Sequence, residues 1–168
     1  MTNNNKPWVL IIMGSDSDAE TMSQAAAALD EAGVAYDFTV ASAHRSPERT
    51  KTIVTEAEAN GARVFIAGAG MAAHLPGVVA SLTTRPVIGV PLASGALQGV
   101  DALYAIVQMP PGIPVASVAI GGARNAGILA AQIIATGDDE LASKMRAQRA
   151  AMADQVAAKS KKVEKSTR

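Results

Sequence analysis

The chain has 168 residues, of which 49% are hydrophobic but only 3% aromatic, and it has no cysteine. Its 15 Lys and Arg residues balance 15 Asp and Glu, so no basic field points to nucleic acid or an anionic membrane. Without cysteine, disulfides, thiolate zinc sites, iron–sulfur clusters and cysteine nucleophiles are all excluded.

Residues 1–7 read as a flexible N-terminus, and the apolar run that follows is too short for the core of a signal peptide. Trp8–Met13 is that run, and it predicts a buried strand. Ser17 to Ala32 has helical spacing and ends at Gly33, a C-terminal cap signal. Val34–Ala41 is a second strand. Pro47–Asn60 reads as a helix with Ser46 as N-cap and Pro47 in the first turn, closed by Gly61. A third strand over Val64–Ala67 precedes a helix over Ala72–Leu82. A fourth strand, Pro86–Val90, precedes a helix in Gly95–Val107. A fifth strand, Val115–Ile120, precedes a helix over Ala123–Ala135. Alternating strands and helices predict parallel βαβ units. Five strands suit a three-layer, doubly wound, flavodoxin-like α/β fold in a single domain spanning 1–168.

Asp138–Lys159 predicts an extra C-terminal helix, with Asp138, Asp139 and Glu140 at its start, where the dipole favours acids. Leu141, Met145, Met152 and Val156 form one stripe, expected to pack on a neighbouring subunit. The basic tail after Lys159 reads as a solvated end.

From Val64 to Gly137 the only charged residues are Arg85, Asp101 and Arg124. Surface helices normally carry a charged, solvated face. A membrane span does not explain the gap, because Gly68, Gly70, His74, Pro76 and Gly77 interrupt a stretch that would need about 20 continuous apolar residues. Burial against other subunits of a cytoplasmic oligomer does explain it.

In a doubly wound sheet, ligands bind beyond the carboxyl ends of the strands. Five loops lie there: Gly14–Asp18, Ser42–Pro47, Gly68–Pro76, Pro91–Gly95 and Gly121–Arg124. The first offers hydroxyls and free N–H groups at a helix start, which suit phosphate. Ser17 and Glu20 have capping-box spacing. With Asp16 and Ser17 available as caps, Asp18 reads as a carboxylate free to bind ribose hydroxyls or a polar ring edge. The second loop holds His44 and Arg45, whose guanidinium suits phosphate. The third has Gly68-x-Gly70-x-x-Ala73, but no acid stands about 20 residues on to hold a ribose, so a nicotinamide cofactor is rejected. Its glycines instead let backbone approach a ligand closely. The two histidines, His44 and His74, lack metal-ligand spacing, and no G-x-S-x-G elbow marks a serine hydrolase. Lysine is absent between Lys51 and Lys144, and Asp101 is the one acid between Glu58 and Asp138. Acid–base work in the loops therefore falls to His44 or His74, with Asp16 or Asp18 in support.

Ile12-Met13-Gly14-Ser15-Asp16-Ser17-Asp18, Ser42-Ala43-His44-Arg45-Ser46-Pro47 and Ala67-Gly68-Ala69-Gly70 through Ala73-His74-Leu75-Pro76-Gly77 resemble three loops of the N5-carboxyaminoimidazole ribonucleotide mutases of purine biosynthesis. Gly89-Val90-Pro91, Gly99–Tyr104, Val107–Pro110, Gly112–Val115, Asn125-Ala126 and Ala130–Ile133 continue the resemblance over about residues 8–140. Met71 departs from it, standing where the family commonly has a small residue, often glycine. The Gly121–Arg124 turn is one of several family variants. The resemblance implies an isomerase, assembled as a homo-octamer, that uses no metal or organic cofactor. It would convert N5-carboxyaminoimidazole ribonucleotide to 4-carboxy-5-aminoimidazole ribonucleotide. It assigns the 5′-phosphorylated substrate to Ser15, Asp18 and Arg45, and the general acid/base role to His44. Ser42, Gly70, His74 and Leu75 would line the same pocket. Two alternatives stay open: an aminoimidazole ribonucleotide carboxylase using CO2 directly, and a noncatalytic phosphate- or nucleotide-binding module.

Overall fold

The computed structural model describes residues 8–165; the expected flexible stretch 1–7 and the last three residues of the basic tail lie outside that range. Five parallel strands form one sheet in the order β2-β1-β3-β4-β5, the flavodoxin-like order with a switch point between β1 and β3. The strands are β1 (Trp8–Met13), β2 (Ala35–Val40), β3 (Ala62–Gly70), β4 (Val87–Leu92) and β5 (Ala116–Ser117). The helices are α1 (Ala19–Ala32), α2 (Pro47–Ala59), α3 (Leu75–Leu82), α4 (Val100–Val107), α5 (Ala123–Ala135) and α6 (Asp139–Val163), with a 3-10 turn at Asp16–Asp18.

Alternation along the central strands divides the core in two. Val9, Ile11, Met13, Val64 and Ile66 face α1 and α5, while Leu10, Ile12, Phe65 and Ala67 face α2 and α3. Phe65 is the one fully buried aromatic ring; elsewhere closeness replaces bulk. A Cβ on Gly68 would stand 2.4 Å from the Met22 sulfur, and one on Gly127 only 2.5 Å from the Ala25 carbonyl oxygen. The bare glycines let α1 lie directly on β3 and on α5, where Ala25, Ala26, Ala126 and Ala130 fill the seam.

Several boundaries differ from the predicted ones, each for a local reason. β3 runs on to Gly70 and β4 to Leu92, because Ala69 and Gly70 pair with Pro91 and Leu92. The third helix starts at Leu75 rather than Ala72, since Met71 and Ala73 take positive φ of 53° and 22°, outside the helical region. The fourth starts at Val100, after Gly95, Gln98 and Gly99, all at positive φ. β5 is only two residues long; beyond it Val118 and Gly121 donate single bonds to the Gly89 and Pro91 carbonyls. Gly33 caps α1 at φ 79° as predicted.

The first part of α6 packs on its own chain, with Leu141 buried, Met145 against the α1–α5 core and the Gln148 amide donating to the Glu31 carbonyl (3.1 Å). Met152 and Val156, farther along the stripe, are exposed. The helix runs past the predicted end at Lys159 to Val163. Among the described residues no helix is long and apolar enough to cross a membrane.

Candidate active site

Four of the five loops at the carboxyl ends of the strands meet around one cavity of about 430 Å3. It is lined by Ser15, Asp18, Ser42, His44, Arg45, Gly70, His74 and Leu75, whereas Asp16, the other candidate support for acid–base work, is not among its lining residues. Larger grooves, about 580 Å3 beside Trp8, Tyr36 and Leu141 and about 710 Å3 beside Glu58 and Arg85, lie at the amino ends of the strands and contain no histidine.

The β1 loop is held by a capping box, but not between the predicted residues. The Ser15 amide donates to Asp18 Oδ2 (3.1 Å), and the Ser17 amide to Ser15 Oγ (3.3 Å). Asp18, rather than Glu20, is the reciprocal acid, so one of its oxygens serves the backbone and the other is left for a ligand. Burial pushes the Asp18 carboxyl above its ordinary value; the Ser15 amide pulls it down, Asp16 raises it and Arg45 lowers it again.

The β2 loop folds around Ser42. Its hydroxyl accepts from the Arg45 amide (3.2 Å) and Nε (3.4 Å), and Arg45 Nη2 donates to the Gly14 carbonyl (3.1 Å). The guanidinium thus ties the β2 loop to the β1 loop and adds the cavity's positive charge. Ser46 does not cap α2 with its side chain. Its hydroxyl instead accepts from the Ser42 amide and donates to the Ser42 carbonyl (both 3.1 Å), closing the turn that presents His44.

His44 Nε2 lies 2.6 Å from His74 Nδ1, with the rings edge-to-face at 4.7 Å between centroids. That contact needs one N–H donor and one lone pair, so two imidazolium rings are incompatible with it. One hydrogen bond therefore joins the two rings. His74 is the N-cap of α3, and its carbonyl accepts from the Val78 amide (2.9 Å). Leu75 is buried beneath it. Met71 projects from the loop, 60% exposed, toward Gly95 across the cavity mouth.

Ser17 and Ser94 also line the cavity. The sequence marks Ser17 only as a cap and Ser94 only by its loop, since a serine in a serine- and glycine-rich loop carries no distinguishing signal of ligand contact. Among the described residues no group of three or more His, Asp or Glu side chains is placed to hold a metal ion.

The model of a family described as AIR carboxylase matches residues 8–155. The chain belongs to the AIR carboxylase family. It is 54% identical to the N5-carboxyaminoimidazole ribonucleotide mutase of Pyrococcus horikoshii, over 95% of this chain and 90% of that protein. The mutase of Escherichia coli K12 is 52% identical over 91% and 92% of the two chains. The phosphoribosylaminoimidazole carboxylase of Schizosaccharomyces pombe is 53% identical over 95% of this chain but 29% of its own length. Among solved structures, Treponema denticola PurE superposes with a TM-score of 0.88 at 30% identity, covering 95% of this chain and all of that one.

Proposed function

We propose that the chain is an N5-carboxyaminoimidazole ribonucleotide mutase of purine biosynthesis, an isomerase moving a carboxyl group from the exocyclic nitrogen to ring carbon C4. The observation that carries this reading is the His44–His74 contact inside a cavity that also holds Ser15, Asp18 and Arg45. The Arg45 guanidinium and the N–H groups of the β1 turn supply a phosphate anchor, and the free Asp18 oxygen suits ribose hydroxyls.

The histidine pair supplies the single proton the isomerisation needs. Protonated His44 gives its proton to the exocyclic nitrogen as the N–C bond breaks and CO2 leaves. The electron-rich C4 then attacks CO2, and neutral His44 takes the C4 proton, restoring the aromatic ring. The proton returns to its starting group, so no net acid or base is consumed. His74 holds the His44 ring in place and shares the proton.

Retaining CO2 requires water to be excluded. In one chain His44, Arg45 and His74 are exposed, and the outer face of α4 shows Val100, Tyr104 and Val107 to solvent. Both features support association with neighbouring copies that cover these surfaces and the far half of α6; the assembly proposed is a homo-octamer, and its proposed location the cytoplasm. The 168 residues are then one catalytic domain per subunit.

The carboxylase name of the Schizosaccharomyces pombe relative favours a second reading, direct carboxylation of aminoimidazole ribonucleotide by CO2. An assay at bicarbonate low enough to starve a carboxylase separates the two. The mutase turns over the N5-carboxy compound there, and no turnover would sink the reading. In the same assay His44→Asn abolishes turnover, by about 100-fold or more, while ribonucleotide binding persists. Ribonucleotide binding with no turnover in either protein would instead indicate a noncatalytic module.

A further inference from the structure

Ser94 stands two residues beyond Leu92, the last residue of β4. Its loop lies close against β3 in the cavity wall: a Cβ on Gly70 would lie 2.4 Å from Ser94 Oγ and 3.2 Å from the Leu92 carbonyl oxygen. Gly70 and Leu92 are register partners in the sheet, so a rigid strand pair sets this contact. A side chain at position 70 would displace the hydroxyl from this position. The side-chain hydrogen bond of the 93–99 loop is Gln98 Nε2 to the Gly95 carbonyl (2.7 Å); the Ser94 hydroxyl has no protein partner among the described residues. Ser94 is half-buried and lines the same cavity as the histidine pair.

Sheet order gives this hydroxyl a place along a bound ligand. The Arg45 guanidinium and the β1 turn belong to β2 and β1, whereas Ser94 belongs to β4, on the far side of β3. Two strand spacings, about 10 Å, separate β1 from β4. A ribonucleotide whose phosphate sits at the β1 and β2 loops directs its heterocycle across β3 toward β4.

We propose that Ser94 is a further ligand-binding residue whose hydroxyl donates a hydrogen bond to the carboxyl group on the heterocycle. The inference rests on the mutase reading above and assigns that site its carboxyl-recognising group. A bond to a charged carboxylate from a preformed, unpartnered donor discriminates for the carboxylated ligand.

The test compares the full chain with Ser94→Ala in calorimetric titrations. The ligands are 4-carboxy-5-aminoimidazole ribonucleotide and the uncarboxylated aminoimidazole ribonucleotide. The ratio of their affinities falls by about tenfold in the variant, while the uncarboxylated ligand binds within about twofold of wild type, which also shows that the variant is folded. A ratio changed by less than about twofold, whether both affinities hold or both drop, overturns the proposal. Wild-type turnover of the N5-carboxy compound is measured alongside. If that turnover is absent, the functional reading falls and this inference with it. If turnover is present and the ratio unchanged, Ser94 alone loses its role.

Discussion

Asp18 carries two duties that conflict. Its Oδ2 accepts the Ser15 amide, yet the carboxyl is desolvated in the cavity wall, and that burial dominates its raised pKa. A carboxyl whose folded-state value lies above its unfolded one is bound by its proton more tightly in the folded protein. Its contribution to stability is therefore lost as pH rises from the ordinary value of 3.8 through the raised one. Asp18→Asn keeps an acceptor for the Ser15 amide and removes the charge. Urea midpoints should show the variant at least as stable as wild type at pH 7, with its relative advantage gone near pH 4, and its ribonucleotide affinity weakened. A variant less stable at pH 7 would mean that the charged cap outweighs desolvation. The cap itself is hard to read from the sequence, because Ser15, Asp16, Ser17 and Asp18 are all good capping types and only the turn geometry selects among them. His44, Arg45 and His74 are legible by contrast, since elimination leaves few other groups for the chemistry. Their 2.6 Å contact is not, because it depends on where β2 and β3 end relative to each other.

The helix pair α1–α5 shows how an element's packing can reverse the effect of a local propensity. Gly→Ala in an exposed helix interior gains up to about 1 kcal/mol of propensity. At Gly127 the new methyl would meet the Ala25 carbonyl oxygen at 2.5 Å and Ala28 Cβ at 2.9 Å, and backbone cannot yield cheaply. Overpacking of this kind costs about 1–3 kcal/mol. Gly127→Ala should therefore lower the denaturant midpoint at unchanged slope, and a raised midpoint would show that the seam is looser than described. The strands and the starts of α2 and α5 are legible from apolar runs and Pro or Gly punctuation. The starts of α3 and α4 are not, because Met71, Ala73 and Gln98 adopt positive φ without being glycine. Nothing in their side chains announces it. β5 reads longer than it is because Val115–Ile120 is apolar at every position but Ser117, while only Ala116 and Ser117 join the ladder.

At the scale of the whole molecule, the scarcity of charge between Val64 and Gly137 corresponds to two different things. The interiors of β3, β4 and α5 are buried within the chain, which accounts for much of it. The outer face of α4 is not: Tyr104 is 61% exposed and Val107 47%, an arrangement expected of a surface awaiting another copy. Light scattering at micromolar concentration should give a mass about eight times that of the chain, and Tyr104→Glu should shift it toward smaller species. A wild-type monomer would overturn the octamer and leave the exposed α4 face unexplained. The sheet order has a kinetic consequence as well. All its pairings are parallel, so no two neighbouring strands are joined by a hairpin; Trp8 first meets Ala35, and Val9 meets Val64. Each ladder closes a long loop before any sheet bond repays the lost entropy, which slows folding and leaves helices to form first. The cavity draws on the loops after β1, β2, β3 and β4, so it exists only once every one of those closures has been made.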